Sequence, residues 1–302
     1  MNIGEKMKKD DFSSKTGLAS AMVVFGTVGL FVRNINMPSS VIAFIRGAVG
    51  ALFLILFCLV TRKKFSFSAV KEKLLLLCLS GAAIGINWIF LFEAYRYTTV
   101  ATATLCYYMA PIFVIVMSSF IYKERLTAKK ICCTLTALVG MIFVSGVIET
   151  GIGNIEEMKG VILGVLAAVF YSSVVLMNKG LGSVPAYDKT IVQLLGAAIV
   201  IMPYCLATVN MGELNFDKES VIMLSVVSIV HTGIAYTAYF GSMKNLQSQT
   251  IAIMSYIDPI VAVFLSAVFL KEQMTILGII GAVMILSATF LSEVNLKKGQ
   301  SK

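Results

Sequence analysis

Apolar residues along this chain fall in long unbroken runs separated by short polar clusters. Ten runs stand out, at 16–32, 39–60, 74–92, 98–121, 131–148, 160–178, 190–209, 221–242, 249–270 and 274–292. A helix needs about 20 apolar residues to cross the hydrocarbon core of a bilayer. Each run is of that order and predicts a transmembrane helix. The runs are too long for membrane strands, which need about 9–11 residues of alternating pattern. Only two full charges fall inside runs, Arg46 in the second and Asp258 in the ninth. No polar stretch between runs is long enough for a soluble domain.

Composition strengthens this picture. The 302 residues are 58% apolar and 14% charged, where a soluble domain carries about 45–50% and about 25%. Mean hydropathy is +0.88. A soluble fold of this make-up would expose large apolar patches, and disorder needs the opposite balance. The first run follows a basic start and resembles a signal peptide. No small-x-small cleavage pattern opens into a polar mature domain, so it reads as a retained helix.

The net charge of +9 does not point to nucleic acid, because the cations sit in short clusters between runs. With the N-terminus cytoplasmic, nineteen of the 25 Lys and Arg residues fall on the inner side, five on the outer side and Arg46 within a span. That asymmetry predicts a multi-pass protein of the plasma membrane with both termini cytoplasmic. Glu149, Glu156, Glu157, Glu213, Asp217 and Glu219 fall in outer loops. The six cysteines form no CxxC pair and the chain has a single His, so no metal and no cofactor is expected.

The two halves resemble each other. YYMAPIFVIVMSSFIYKERLT (107–127) lies without a gap over SYIDPIVAVFLSAVFLKEQMT (255–275), at an offset of 148 residues. Pro111 meets Pro259, and Lys123-Glu124 meets Lys271-Glu272. Pro38 meets Pro185 and Arg33 meets Lys179 at nearly the same offset. Five helices per half is an odd number, so the halves must be inverted in the membrane. Inverted repeats in secondary transporters place the solute site near the midplane, between the halves.

These residues carry a resemblance. Ten helices in two five-helix repeats, an Arg early in the second helix, and a Pro followed by a "KE" turn in the fourth and ninth resemble the drug/metabolite transporter superfamily, EamA type. The resemblance implies an all-α polytopic membrane protein. Its ten transmembrane helices would form two inverted five-helix repeats around a central cavity, with the fifth and tenth helices peripheral. The expected organisation is a cytoplasmic tail (1–15), a first repeat (16–148), an outer connecting loop (149–159), a second repeat (160–292) and a second cytoplasmic tail (293–302). It also implies movement of small metabolites.

Several residues within the runs bear chemistry. Charges in hydrocarbon normally face protein or water. Arg46 is a candidate anchor for a solute carboxylate, because guanidinium grips carboxylate in a fork; the alternative is a structural ion pair or snorkelling. Asp258 precedes Pro259, which frees a carbonyl four residues earlier. It is a candidate for proton coupling, or else a partner for Arg46 or a capping carboxyl; Ala110 occupies its place in the other half. Glu93, near the outer end of the third helix, is a second candidate for coupling. Pro111 and Pro259 are expected helix breaks. Asn87, Trp88, His231 and the tyrosines Tyr108, Tyr171, Tyr236, Tyr239 and Tyr256 are candidates for the cavity wall, against core packing for each. GAAIG (81–85) and GVILG (160–164) read as packing faces.

Transport is the expected activity, by exchange between two inward- and outward-open states and with export the expected direction. The solutes would be amino acids or related amphipathic carboxylates. The expected partners are that solute, the lipid bilayer and protons, with the chain acting as monomer or homodimer. No phosphate-binding G-x-x-x-x-G-K-[ST] occurs, so direct ATP drive is not expected. The alternatives are an intramembrane enzyme, for which H-E-x-x-H and G-x-S-x-G are both absent, and a channel-like facilitator.

Overall fold

The structure is a computed structural model that describes residues 3–121, 123, 127–145, 148, 155–210, 212, 214, 216–243 and 254–293. Among these residues every regular element is helical. Seven helical stretches are long and apolar enough to cross a membrane: Ser13–Arg33, Ser39–Val60, Leu74–Tyr97, Val100–Ile121, Ile155–Lys179, Ala186–Thr208 and Lys218–Phe240. Two shorter apolar helices, Ile257–Phe269 and Ile276–Leu291, follow. Large apolar side chains such as Leu56, Ile199, Phe264 and Val283 are exposed on the outside of the bundle, an outer surface suited to lipid and unsuited to water.

In chain order the helices are α1 (Ile3–Gly26), α2 (Val28–Arg33), α3 (Ser39–Val60), α4 (Phe67–Glu72), α5 (Leu74–Tyr97), α6 (Val100–Tyr107) and α7 (Ala110–Ile121). They continue as α8 (Ala128–Val144), α9 (Ile155–Lys179), α10 (Ala186–Thr208), α11 (Lys218–Val226), α12 (Ala235–Met243), α13 (Ile257–Phe269) and α14 (Ile276–Glu293). Four of the apolar runs are broken inside the bundle, the ninth by a turn at Tyr256, three residues before Pro259. Thr27 separates α1 from α2. Between α6 and α7 the helix is interrupted at Tyr108–Met109, where Pro111 lacks an N–H and its ring crowds the carbonyl of Tyr107. A wider turn of π-type spans Val227–Ile234 between α11 and α12. There the Thr232 hydroxyl donates to the Val227 carbonyl at 3.2 Å, competing for an acceptor that the α-helical ladder would use.

Several boundaries differ from the apolar runs for local reasons. Helix α10 begins at Ala186, four residues before the run at 190, because Pro185 at its N-cap has φ −55° and ψ 143° and launches the chain into the helix. Lys189 therefore lies in the first turn and not in a loop. Helix α9 begins at Ile155, inside the expected 149–159 connection, with Glu156 and Glu157 in its first turn, where acids suit the positive end of the helix dipole. The start of the ninth run, 249–253, and Glu124 of the first "KE" turn lie outside the described residues.

Helices α5 and α9 lie antiparallel. Gly160 packs against Thr98 at one end and Gly180 against Leu76 at the other. Helix α10 packs on both α3 and α5, and α14 packs on α8 to one side. The closest approach on α5 is at Gly81 of the GAAIG stretch, where an added Cβ would stand 2.6 Å from the backbone oxygen of Gln193. Gly81→Ala is expected to destabilise the fold by about 1–3 kcal/mol. The control is Gly196→Ala, whose Cβ would meet its nearest neighbour at an ordinary 3.5 Å. Thermal unfolding in detergent checks this: a lower apparent Tm for Gly81→Ala than for Gly196→Ala is expected, and equal values would contradict the close contact.

Candidate functional site: a central aromatic cavity

The broken helices surround a cavity of about 440 Å³, within the range of small-molecule sites. Its wall draws on α1, α2, α3, α5, α6, α9, α10, α12 and α13 and includes Arg46, Trp88, Tyr107, Tyr108, Tyr171, Tyr236 and Asp258. Tyr107 and Tyr171 meet at 5.3 Å between ring centroids. Phe25 and Tyr236 meet edge to face at 5.4 Å. The wall is thus apolar by area, with hydroxyl tips at intervals.

Arg46 is the polar centre of this wall. It projects from α3, where Gly47 lets the helix approach α10. Its Nε donates to the Thr232 hydroxyl at 2.8 Å, so the π-type turn presents the acceptor that orients the guanidinium. The guanidinium carbon lies 4.4 Å from the centre of the Trp88 ring and 5.6 Å from that of Phe92. A cation over an indole is held by about 0.5–2 kcal/mol without using its N–H donors. Among the described residues no carboxylate lies within ion-pair distance of Arg46. The guanidinium is thus stacked on Trp88 and held through Nε by Thr232, in a residue that lines the cavity.

Asp258 lines the same cavity from the first turn of α13. Beside it, the Tyr108 hydroxyl donates to the Ser255 carbonyl at 3.5 Å. Trp88, Arg46 and Asp258 thus come from three helices and two halves of the chain, yet share one space.

The model of the EamA-like transporter family matches residues 16–146 and 158–293. The chain belongs to the EamA-like transporter family. The uncharacterized transporter YxxF of Bacillus subtilis is 30% identical over 276 residues, covering 90% of this chain and 86% of that protein. A probable amino-acid metabolite efflux pump of Salmonella typhimurium is 24% identical, covering 75% and 79%. A crystal structure superposes with a TM-score of 0.65 at 18% identity, covering 93% of this chain and 97% of the other. That last likeness concerns the fold. An EamA-like transporter with these helices is a multi-pass membrane protein that handles a small-molecule solute.

The site residues expected from this transporter's sequence fall into two groups. Arg46, Asn87, Trp88, Tyr108, Tyr171, Tyr236, Tyr239 and Asp258 line the cavity. The Asn87 side chain is partly committed, because its Nδ2 donates to the Ala167 carbonyl at 2.6 Å and ties α5 to α9. His231, Tyr256, Glu93, Pro111 and Pro259 lie outside the lining. The His231 Nε2 contacts the Thr27 hydroxyl at 2.7 Å and its ring meets Phe31 edge-on at 5.2 Å, so it packs the π-type turn onto the break between α1 and α2. Tyr256 packs edge-on against Phe290. Glu93 accepts from the Ser39 hydroxyl at 2.6 Å, with the Arg96 Nε at 3.9 Å.

Tyr95, Tyr107, Asn178, Lys189, Thr190 and Gln193 also line the transporter's cavity but were not expected there. Gln193 donates to the Ser80 hydroxyl at 2.6 Å and to the Asn178 side-chain oxygen at 2.8 Å. A signal existed on α10: Lys189, Thr190 and Gln193 are polar at i, i+1 and i+4, which is one helical face. Starting the span at 190 hid it.

Proposed function

We propose that this protein is a secondary transporter that exports small amphipathic carboxylates, amino acids among them, across the plasma membrane. Arg46 carries the reading: its guanidinium is oriented by Thr232 and backed by Trp88, and its remaining donors face an aromatic cavity. A carboxylate would take that open edge as a two-point hydrogen-bonded pair. Asp258 in the same cavity suits an ammonium group or a transported proton. The relatives named as amino-acid metabolite efflux pumps favour the same solute class.

The carrier works by alternating access between two inverted five-helix repeats, ten membrane helices in all. Supporting this, paired positions of the halves share their backbone. Pro38 has φ −56° and ψ 141°, and Pro185 has φ −55° and ψ 143°. Lys123 and Lys271 both take a left-handed φ of 53°. Both termini are cytoplasmic, as the distribution of Lys and Arg favours.

Counterflow in proteoliposomes tests the activity. Vesicles loaded with unlabelled amino acid should take up the labelled form transiently and saturably. Non-saturating flux without counterflow would replace the carrier by a channel. Topology is checked separately with an impermeant maleimide on intact cells. Glu156→Cys should be labelled from outside and Lys64→Cys should not, in a background lacking the native cysteines; the reverse pattern would invert the protein in the membrane.

A further inference from the structure

A second pocket, of about 410 Å³, lies at the Arg96 end of the bundle and is lined by Val32, Arg33, Asn36, Phe92, Tyr95 and Arg96, among others. It does not duplicate the central cavity, yet the two share a wall. Tyr95 lines both. Phe92 lines the second pocket, while the Arg46 guanidinium of the central cavity lies 5.6 Å from its ring centre. Helix α2 runs past both spaces, with Val28 and Gly29 at the central cavity and Val32 and Arg33 at the second pocket.

This shared wall is closed by one polar cluster. Arg33 Nη1 pairs with Glu272 Oε1 at 2.8 Å and donates to the Thr98 carbonyl at 2.9 Å. Glu272 also accepts from the backbone N–H of Val100, at 2.9 Å to Oε2 and 3.2 Å to Oε1, and from the Ser266 hydroxyl. The left-handed turn at Lys271 aims it there: with φ 53°, the Glu272 N–H reaches back to the Ser266 carbonyl at 3.2 Å, as in a helix-ending turn. The Glu272 side chain is only 8% exposed, and these partners compensate a carboxylate held largely out of water. Three separate pieces meet on it: the end of α2, the start of α6 and the end of α13.

We propose that Arg33 and Glu272 are the lock of a gate whose leaf is Tyr95 and Phe92, and that the second pocket is the passage a solute takes when the gate opens. The proposal rests on the carrier reading above. Helix α2 is the moving piece. It is set off from α1 by the turn at Thr27, and its Gly29 lies flat against Val100 and the Tyr95 ring, where an added Cβ would be 3.4 Å from Tyr95 Cζ. Opening lifts α2 and Arg33 away from Tyr95, which requires Glu272 to give up its cation. The lock therefore biases the cycle toward the state closed at this end.

The test reads access to the central cavity and needs no solute. Thr104→Cys, on the central cavity wall beside Tyr95, is placed in a background lacking the native cysteines. A charged methanethiosulfonate reagent is applied to whichever membrane face labels Glu156→Cys, since Gly160 against Thr98 puts the start of α9 at the lock end. Labelling of Thr104→Cys from that face should be slow. It should speed up by at least about tenfold on adding Arg33→Gln or Glu272→Gln. Arg33→Gln leaves the Glu272 cap on Val100 in place, so it keeps the test valid if Glu272→Gln misfolds. Fast labelling with the lock intact, or no acceleration by Arg33→Gln, would overturn the lock. Counterflow is measured on the cysteine-free protein that keeps Thr104, with and without Arg33→Gln. Lock-dependent labelling without counterflow would leave the gate standing and remove the carrier; counterflow with lock-independent labelling would do the reverse.

Discussion

Arg46→Ala is expected to abolish saturable flux and to weaken binding of a carboxylate solute by about ten- to a hundredfold. A hydrogen bond to a charged group contributes about 1.5–3 kcal/mol, and each 1.4 kcal/mol is about a factor of ten in affinity. Among the described residues nothing nearby replaces the lost cation with the same geometry. Lys189 lines the cavity, but it lies near the start of α10, five residues before Leu194, whose carbonyl faces Gly47 beside Arg46. That is about 7.5 Å of helix rise. Arg46→Lys should recover only part of the affinity, because an ammonium offers no planar fork and stacks less well on Trp88. Trp88 is the sole tryptophan in the chain and touches the guanidinium, so its fluorescence reads binding directly. A solute-dependent Trp88 signal with unchanged midpoint in Arg46→Ala would remove Arg46 from the solute site.

The second large effect is expected at Asp258. Asp258→Asn should lose accumulation driven by a pH gradient while retaining counterflow. One proton moved with each solute turns one unit of pH difference into about tenfold accumulation, or ~1.4 kcal/mol. Asn keeps the size and one acceptor of Asp, so the cavity wall and its Tyr108 neighbour stay in place, but it carries no exchangeable charge. Counterflow needs the loaded carrier to reorient and no net proton movement, which is why it separates the two roles. Loss of both activities would assign Asp258 to the solute, as an ammonium partner facing Arg46 across the cavity. Full gradient-driven accumulation in Asp258→Asn would exclude it from coupling. Glu93 is a poorer substitute, since it lies outside the cavity lining and is engaged by Ser39 and Arg96.

The apolar runs alone were enough to determine that this chain is a bundle of membrane helices. A backbone in hydrocarbon must satisfy its own hydrogen bonds, and run length then reports span length. The internal match around Pro111 and Pro259 was also legible, because a proline and an acidic turn stand out from a monotonous apolar background. Arg46 and Asp258 were singled out on the same ground: a charge in a span must face protein or water, and both do line the cavity. What the sequence could not determine is which face of each apolar helix looks inward. In water an amphipathic stripe marks the buried face; in lipid both faces are apolar and the stripe disappears. So Tyr108 and Tyr256, matched positions of the repeat, part company in the fold, one in the cavity wall and the other against Phe290. His231 is turned to Thr27 by a helix pitch that no local pattern announces. Glu272 was visible as half of a repeated turn, but its meaning depends on Arg33 and Val100, brought to it from far along the chain. Such pairings are set by helix packing and by broken ends meeting in space, and only the tertiary structure decides them.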